Sequence, residues 1–430
     1  MHELKITCLE HLLFATYLIL FAWLITRIRF FRNSGLSPAQ LIIVFLLKVM
    51  AGIFYGWIGV YYGEMARMVD TWVHHYSGLK EYEVLLNNPA LFFSEVFQTP
   101  YESGFSKFLT SKDSWWNDIK YVSFVKMLGI FNLFSFGNYY INIILYSFLT
   151  LFGPIAVYKM MKHAFATEGI LLFIIAFFIP SFLYWTSGLH KDGLMFTAIA
   201  LIIYELYFWL AGEKFSLQKT LIILFGIGII LLLRGFLIGI LIPVLLAWII
   251  CAKSKKRPLL ILATVYLIFI ILFFSAKYIH PKLDFPQAVA ERQSEFAKLK
   301  GGSEVNVESL QPNLKGFISN FPQAVDLSLI RPHFSDAKHL LSLTAAIEIH
   351  LILLLIVIML LFRRKDFELS PFILFCFSFV MFICLMTGYT VNFLGAIVRY
   401  RAIALPFLVI PVVMMTDWKA LIRRFSKLNI

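Results

Sequence analysis

The chain has 430 residues, of which 60% are hydrophobic and 15% charged, and it carries a net charge of +13 at pH 7. Soluble domains run nearer about 45–50% apolar and about 25% charged, so a water-soluble enzyme built round one core is excluded. Disordered, collagen-like and disulfide-dense proteins are excluded too, and what is left is an all-α polytopic integral membrane protein.

A helix needs about 20 apolar residues to cross about 30 Å of hydrocarbon. In chain order the predicted spans are 9–26, 39–62, 138–158, 168–186, 193–211, 219–233, 235–252, 258–276, 340–361, 370–388 and 402–415, eleven in all. The first ends at Arg27 with no small-residue cleavage site, so it reads as a retained span. The sixth and seventh are short and separated by Arg234, either as a tight hairpin or as one interrupted unit. The run 121–136 is broken by Lys126, Gly129 and Asn132 and reads as an interfacial or re-entrant helix.

Six basic clusters fall on alternate connections: Arg27/Arg29/Arg32, Lys159/Lys162, Lys214/Lys219, Lys253–Arg257, Arg363–Lys365 and Arg423/Arg424/Lys427. Basic residues in short loops stay on the cytoplasmic side, which predicts an outer N-terminus and a cytoplasmic C-terminus. The positive charge is thereby explained by topology and calls for no nucleic-acid partner. The opposite side carries two long connections, 63–120 and 277–339, each expected to hold short helices along the interface, among them Trp115–Trp116 and Phe317–Ile330.

No phosphate-binding glycine loop, dinucleotide fingerprint, HExxH or CxxC occurs, which removes the familiar nucleotide-driven, nicotinamide and zinc chemistries. Cys8, Cys251, Cys376 and Cys384 lie in or beside apolar runs and read as small buried hydrophobes. Gly226 and Gly228 form a small-residue patch suited to close helix packing.

Ionisable residues beside apolar segments are the functional candidates. Glu64 and Asp70 flank Arg67 at three-residue spacing, so both could pair with it on a helix. Asp70 could alternatively act as a general base or metal ligand. His74 and His75 are adjacent and would point different ways on a helix. Lys48 lies inside the second span, where it calls for a partner such as Glu348 or another acid. In Pro180–Asp192 an apolar helix ends in aromatics and then His190, Lys191 and Asp192. Asp192 could cap the next helix, and the trio could hold an anion and move a proton. Arg234 either snorkels from its turn or contacts a phosphate. Arg331 and His333 close the second long connection, Glu348 lies inside the next span, and Arg399 and Arg401 precede the last one.

By the predicted topology Lys191, Arg234, Arg331, Arg399 and Arg401 share one side of the membrane with Asp70, His190 and Asp192. Cations beside carboxylates suit a ligand with a phosphate head and an apolar tail, such as a polyprenyl-diphosphate-linked sugar. Its diphosphate is already a leaving group, so an acceptor hydroxyl needs deprotonation and orientation while cations stabilise the departing phosphate. A divalent cation at the acidic residues is an open alternative with no defined ligand set.

The segment Pro180–Asp192 resembles the "P-S-x-x-x-W-x-S-G-x-x-K-D/E" segment of polytopic proteins of bacterial exopolysaccharide and O-antigen biosynthesis. Phe321-Pro322 to Arg331-Pro332, followed by Glu348, looks like a second shared segment. Arg399 to Phe407 is similar to the group's "R-Y-R-x-P-x-x-P-F" end, without its first proline. The resemblance covers roughly residues 170–410. It implies a bundle like that of GT-C-type lipid-linked-sugar glycosyltransferases or of O-antigen polymerases, in the bacterial inner membrane, alongside membrane lipids and other polysaccharide-assembly proteins. In the first class an early outer-loop carboxylate is the base, a role that falls to Asp70, although that acid usually follows the first span and Asp70 follows the second. In the polymerases outer-face arginines hold the lipid diphosphate, a role that Arg331, Arg399 and Arg401 fit. The expected activity is transfer of a sugar or glycan from such a donor on the extracytoplasmic face. The alternatives are a flippase or transporter for a lipid-linked oligosaccharide, and a non-catalytic member of an envelope complex.

Overall fold

The computed structural model describes residues 8–61, 70–102, 104–105, 114–167, 169–254, 257–365 and 367–426. Among these residues every long element is a helix, and the extended structure is limited to two isolated bridges, Glu304 with Phe393 and Arg363 with Thr416. That follows from the solvent, because backbone N–H and C=O groups in hydrocarbon must be satisfied within the segment.

Nine described helices are long and apolar enough to cross a membrane, and there are eleven spans if each of two bent pairs counts as one. The protein is therefore a multi-pass, all-α integral membrane protein. The nine are Leu9–Arg27, Pro38–Tyr61, Tyr139–Phe165, Lys191–Leu210, Leu217–Arg234, Phe236–Ser254, Pro258–Tyr278, Leu340–Leu361 and Pro371–Thr390. The bent pairs are Ile170–Phe177 with Pro180–Ser187, at 50°, and Leu394–Ala402 with Leu405–Met414, at 64°. The nine straight helices match nine of the predicted spans, the fourth predicted span falls on the first bent pair, and the last, 402–415, falls on the second helix of the other. Proline explains both breaks: Pro180 and Pro406 lack the N–H that would continue a helix, so each sits at the start of a new one. The proline missing at Ile403 is not needed for the second break.

Local sequence fixes several helix starts. Ser37 Oγ accepts from Gln40 N while Gln40 Oε1 accepts from Ser37 N, a reciprocal cap with Pro38 as first helical residue. Asn138 Oδ1 accepts from Tyr140 N and Ile141 N. Ser216 and Ser370 cap their helices in the same way.

The chain divides into two compact units. The first comprises Met1–Met160, Leu183–Trp209 and Lys214–Gly235. Its first long connection contains Asp70–Asn87, eighteen residues, longer than the short interfacial helices expected there. Trp115–Trp116 opens a 21-residue helix, Trp115–Ser135, and does not form a separate short element. The two helices lie side by side, with Gly78 against Leu128 and Gly129 against Glu81, where a Cβ would meet atoms at 2.8 and 3.1 Å. Lys126 locks them by pairing with Glu81 at 2.7 Å and with Glu95 at 3.1 Å. Trp115–Ser135 is not among the spans, in keeping with its broken pattern. Of the expected glycine patch only Gly226 packs tightly, against Ile202 and Ala198, while Gly228 faces open space.

The second unit comprises Met161–Phe182, Leu210–Glu213 and Phe236–Ile430. Phe317–Ile330 is helical as expected, as Leu314–Val325 followed by a wider π-type turn over Asp326–Ile330. Gly388 on Pro371–Thr390 lets that helix touch Leu314–Val325, since a Cβ there would lie 2.0 Å from Ala324 O. The second long connection is tied to the 391–394 turn by Val305 N to Asn392 O at 2.8 Å and Leu394 N to Ser303 O at 2.9 Å.

Candidate functional site

In the first unit Pro38–Tyr61 presents Lys48, Gly52 and Tyr55 on one face, at spacings of four and three residues. That face lies on the segment 186–190. Lys48 Nζ donates to Thr186 O at 2.8 Å, with Thr186 Oγ1 at 3.4 Å and Ser187 Oγ at 3.5 Å. Lys48 thus sits on the carbonyl end of Pro180–Ser187, where a cation is favoured, and these contacts involve no carboxylate. Glu348, named as a candidate partner for Lys48, belongs to the second unit. There it accepts from Ser181.

Gly52 allows the close approach, because a Cβ would lie 2.6 Å from Ser187 O. Tyr55 Oη is 2.7 Å from His190 Nε2. His190 Nδ1 is 3.4 Å from Asp192 Oδ2, and Asp192 Oδ1 is 2.6 Å from Arg234 Nη2. His190 and Asp192 are fully buried and Arg234 nearly so. A proton on Nδ1 satisfies both histidine contacts, leaving Nε2 to accept from the tyrosine hydroxyl. Tyr146 Oη donates to the His190 carbonyl and accepts from Leu194 N at 3.3 Å.

This chain of contacts brings together three of the expected site residues, His190, Asp192 and Arg234. Asp192 lies in the first turn of Lys191–Leu210, so the helix N-terminus and the guanidinium both favour its negative charge. Arg234 ends Leu217–Arg234 inside this cluster, which overturns the snorkelling alternative. Lys191 is half-buried, with its ammonium 5.9 Å from the centre of the Tyr121 ring. His74 is also brought in, its ring 6.0 Å from that of His190 and packed on Phe124. His75 faces Trp72 and Tyr139 instead. Burial pushes the His75 imidazole down to about 4. Asp70 begins Asp70–Asn87, while Glu64 and Arg67 lie outside the described residues.

The second unit holds the other expected residues. Arg401 is buried, and its Nη1 donates to Ser328 O at 2.9 Å and to Arg331 O at 2.8 Å. Both carbonyls lie at or just past the end of the wide turn, where helical carbonyls lack intrahelical partners, and the turn closes with Arg331 N on Asp326 O, five residues back, at 2.9 Å. Arg401 Nε has no hydrogen-bond partner. Glu348 accepts from Ser181 N at 2.7 Å and from Ser181 Oγ. Arg331 pairs with Asp326 at 2.8 Å and reaches Asp336 at 3.5 Å, and His333 Nε2 is 3.3 Å from Asp326 Oδ1. Arg331, His333 and Arg399 are all half-buried.

The pattern missed Tyr55, Lys48 as a partner of 186–187, Tyr146, and Asp326 and Asp336 as partners of Arg331. Tyrosines in apolar helices carry little signal by themselves, but Lys48 to Tyr55 at helical spacing was readable as one polar face. Among the described residues no three of His, Cys, Asp and Glu are grouped to hold a metal ion. Compared with protein-family models, curated proteins and solved structures, the chain gives no match.

Proposed function

We propose that the protein is a membrane glycosyltransferase or polysaccharide polymerase that takes a sugar or glycan from a polyprenyl-phosphate- or diphosphate-linked donor on the extracytoplasmic face. The observation that carries this reading is the buried sequence Tyr55–His190–Asp192–Arg234. It has the order of a proton relay: a hydroxyl, an imidazole, a carboxylate that orients the imidazole, and a cation that keeps the carboxylate ionised.

In the proposed step an acceptor hydroxyl attacks the sugar's anomeric carbon. The bond from that carbon to the phosphate oxygen breaks, and the phosphate leaves with the electron pair. The acceptor proton passes to Tyr55 Oη as the tyrosine's own proton moves to His190 Nε2, and Asp192 offsets the charge that develops on the imidazole. Arg234 holds Asp192 and is a positioning residue. Lys191, at the half-buried edge of the cluster, is the phosphate contact of the first unit. The resemblance gives the same role to Arg331, Arg399 and Arg401 in the second. The bacterial inner membrane and an outer N-terminus belong to this proposal, supported by the resemblance and by the basic clusters on alternate connections.

The test uses full-length protein in nanodiscs with a panel of polyprenyl-diphosphate-linked sugars and radiolabelled donor. The expected result is transfer by the native chain that falls at least a hundredfold in His190→Ala and Asp192→Asn, with unfolding temperatures showing that both variants are folded. Transfer at the native rate by both would overturn the relay. Donor movement across the bilayer without any new glycosidic bond would overturn the enzyme in favour of a flippase.

A further inference from the structure

The helix Trp418–Ser426 follows the last span, and its residues divide sharply between two faces. At about 100° per residue, Trp418, Leu421 and Ile422 fall within one arc of about 100°. Lys419, Arg423 and Arg424 fall outside that arc and are exposed, and Ile422 is 65% exposed on the apolar side. Asp417 Oδ1 caps the helix by accepting from Ala420 N at 2.9 Å, and Trp418 Nε1 donates to Val413 O at 3.0 Å.

Main-chain bonds join this helix to a second basic connection. Asp417 N donates to Phe362 O at 2.7 Å and Arg364 N to Met415 O at 2.9 Å. Arg363 and Lys365, both exposed, are thereby held beside the start of the helix. The described acids nearby are Asp417, already used as a cap, and Glu368. Five exposed cations therefore border an apolar ridge, half-buried at Trp418 and Leu421 and exposed at Ile422, at the end of a membrane span. Orientation accounts for basic residues in these two connections, but it does not account for their sorting onto one side of a helix or for the bonds that join them.

We propose that this corner is a binding site for anionic phospholipid. The helix lies in the plane of the interface, with Trp418, Leu421 and Ile422 toward the acyl chains and Lys419, Arg423 and Arg424 among the headgroup phosphates. Arg363 and Lys365 close the site from the neighbouring connection. The proposal does not depend on the activity proposed above.

The test is lipid retention by the full-length protein. Protein in nanodiscs of equimolar phosphatidylcholine and phosphatidylglycerol is moved into mild detergent, and the lipids that stay bound are counted by native mass spectrometry. The native chain should keep phosphatidylglycerol several-fold over phosphatidylcholine. The triple variant Lys419→Gln/Arg423→Gln/Arg424→Gln should lose most of that preference, Arg363→Gln/Lys365→Gln part of it, and Ile422→Ser should weaken retention of both lipids. All three changes are on exposed side chains, so unfolding temperatures should stay near native. An equal phosphatidylglycerol preference in the triple variant, or none in the native chain, would overturn the proposal. So would single-stranded DNA or an acidic peptide binding the native chain but not the triple variant, with no lipid preference.

Discussion

Arg234 Nη2 lies 2.6 Å from Asp192 Oδ1, and Asp192 has no access to solvent. Removing one partner of a buried ion pair strands the other charge, at a cost of about 3–5 kcal/mol. Arg234→Leu and Asp192→Leu should each lower stability by that order in detergent unfolding. The double variant Arg234→Leu/Asp192→Leu should recover a large part of the loss, because no isolated charge remains. A loss in the double variant equal to the sum of the two single losses would mean that the pair is not coupled.

Tyr55→Phe removes the hydroxyl 2.7 Å from His190 Nε2 and keeps the ring that packs on Tyr184 and Trp185. A buried nitrogen left without its partner costs about 1–3 kcal/mol. Sugar transfer by Tyr55→Phe should fall and its pH profile should move. Tyr184→Phe, which keeps the relay intact, should leave the profile in place.

Gly388→Ala and Gly52→Ala are steric tests. The added Cβ would meet Ala324 O at 2.0 Å and Ser187 O at 2.6 Å. Backbone carbonyls cannot turn aside as side-chain ends do, so overpacking costs on the order of 1–3 kcal/mol or more. Gly228→Ala, which meets nothing, should be neutral, and comparing the three unfolding temperatures checks the packing directly.

The His75 imidazole, pushed down to about 4 by burial, makes stability depend on pH. Between about 6.5 and 4 the unfolded chain binds a proton that the folded chain does not, so stability rises with pH. The contribution is fully present above about 6.5, and on the order of 3 kcal/mol is lost as pH falls to about 4. His75→Phe should flatten unfolding temperature against pH in that window.

Ser181→Ala removes one of the two donors to Glu348 but keeps the backbone one. Glu348→Ala removes both contacts at once. Stability should therefore fall less in Ser181→Ala, by about 1 kcal/mol, than in Glu348→Ala. The reverse order in detergent unfolding would remove Glu348 as the anchor of Ser181.

The spans were legible because each needs only a count of apolar residues, and Pro180 and Pro406 even marked the breaks. The trio His190, Lys191, Asp192 was legible because charge next to an apolar helix is costly and stands out. The partner of Asp192 was not, since Arg234 is 42 residues away and nothing local to either residue specifies the contact. Arg401 stood out as a charge, but its partners are two main-chain carbonyls at a helix end, and carbonyls have no sequence identity. The eighteen-residue helix from Asp70 was obscured because it is polar enough to pass for a loop.

Lys48, Gly52 and Tyr55 grip the segment 186–190 over seven residues of helix, a length of about 10 Å. The three grips differ in kind: a charge on carbonyls, a backbone contact without a side chain, and a hydroxyl on a ring nitrogen. A slide of the helix by one residue, about 1.5 Å, would carry Tyr55 Oη off His190 Nε2 and Gly52 off Ser187 O together, while Lys48 would keep Ser187 Oγ within reach. Helix and segment are therefore geared like teeth on a rack, and the close approach at Gly52 sets how the teeth mesh.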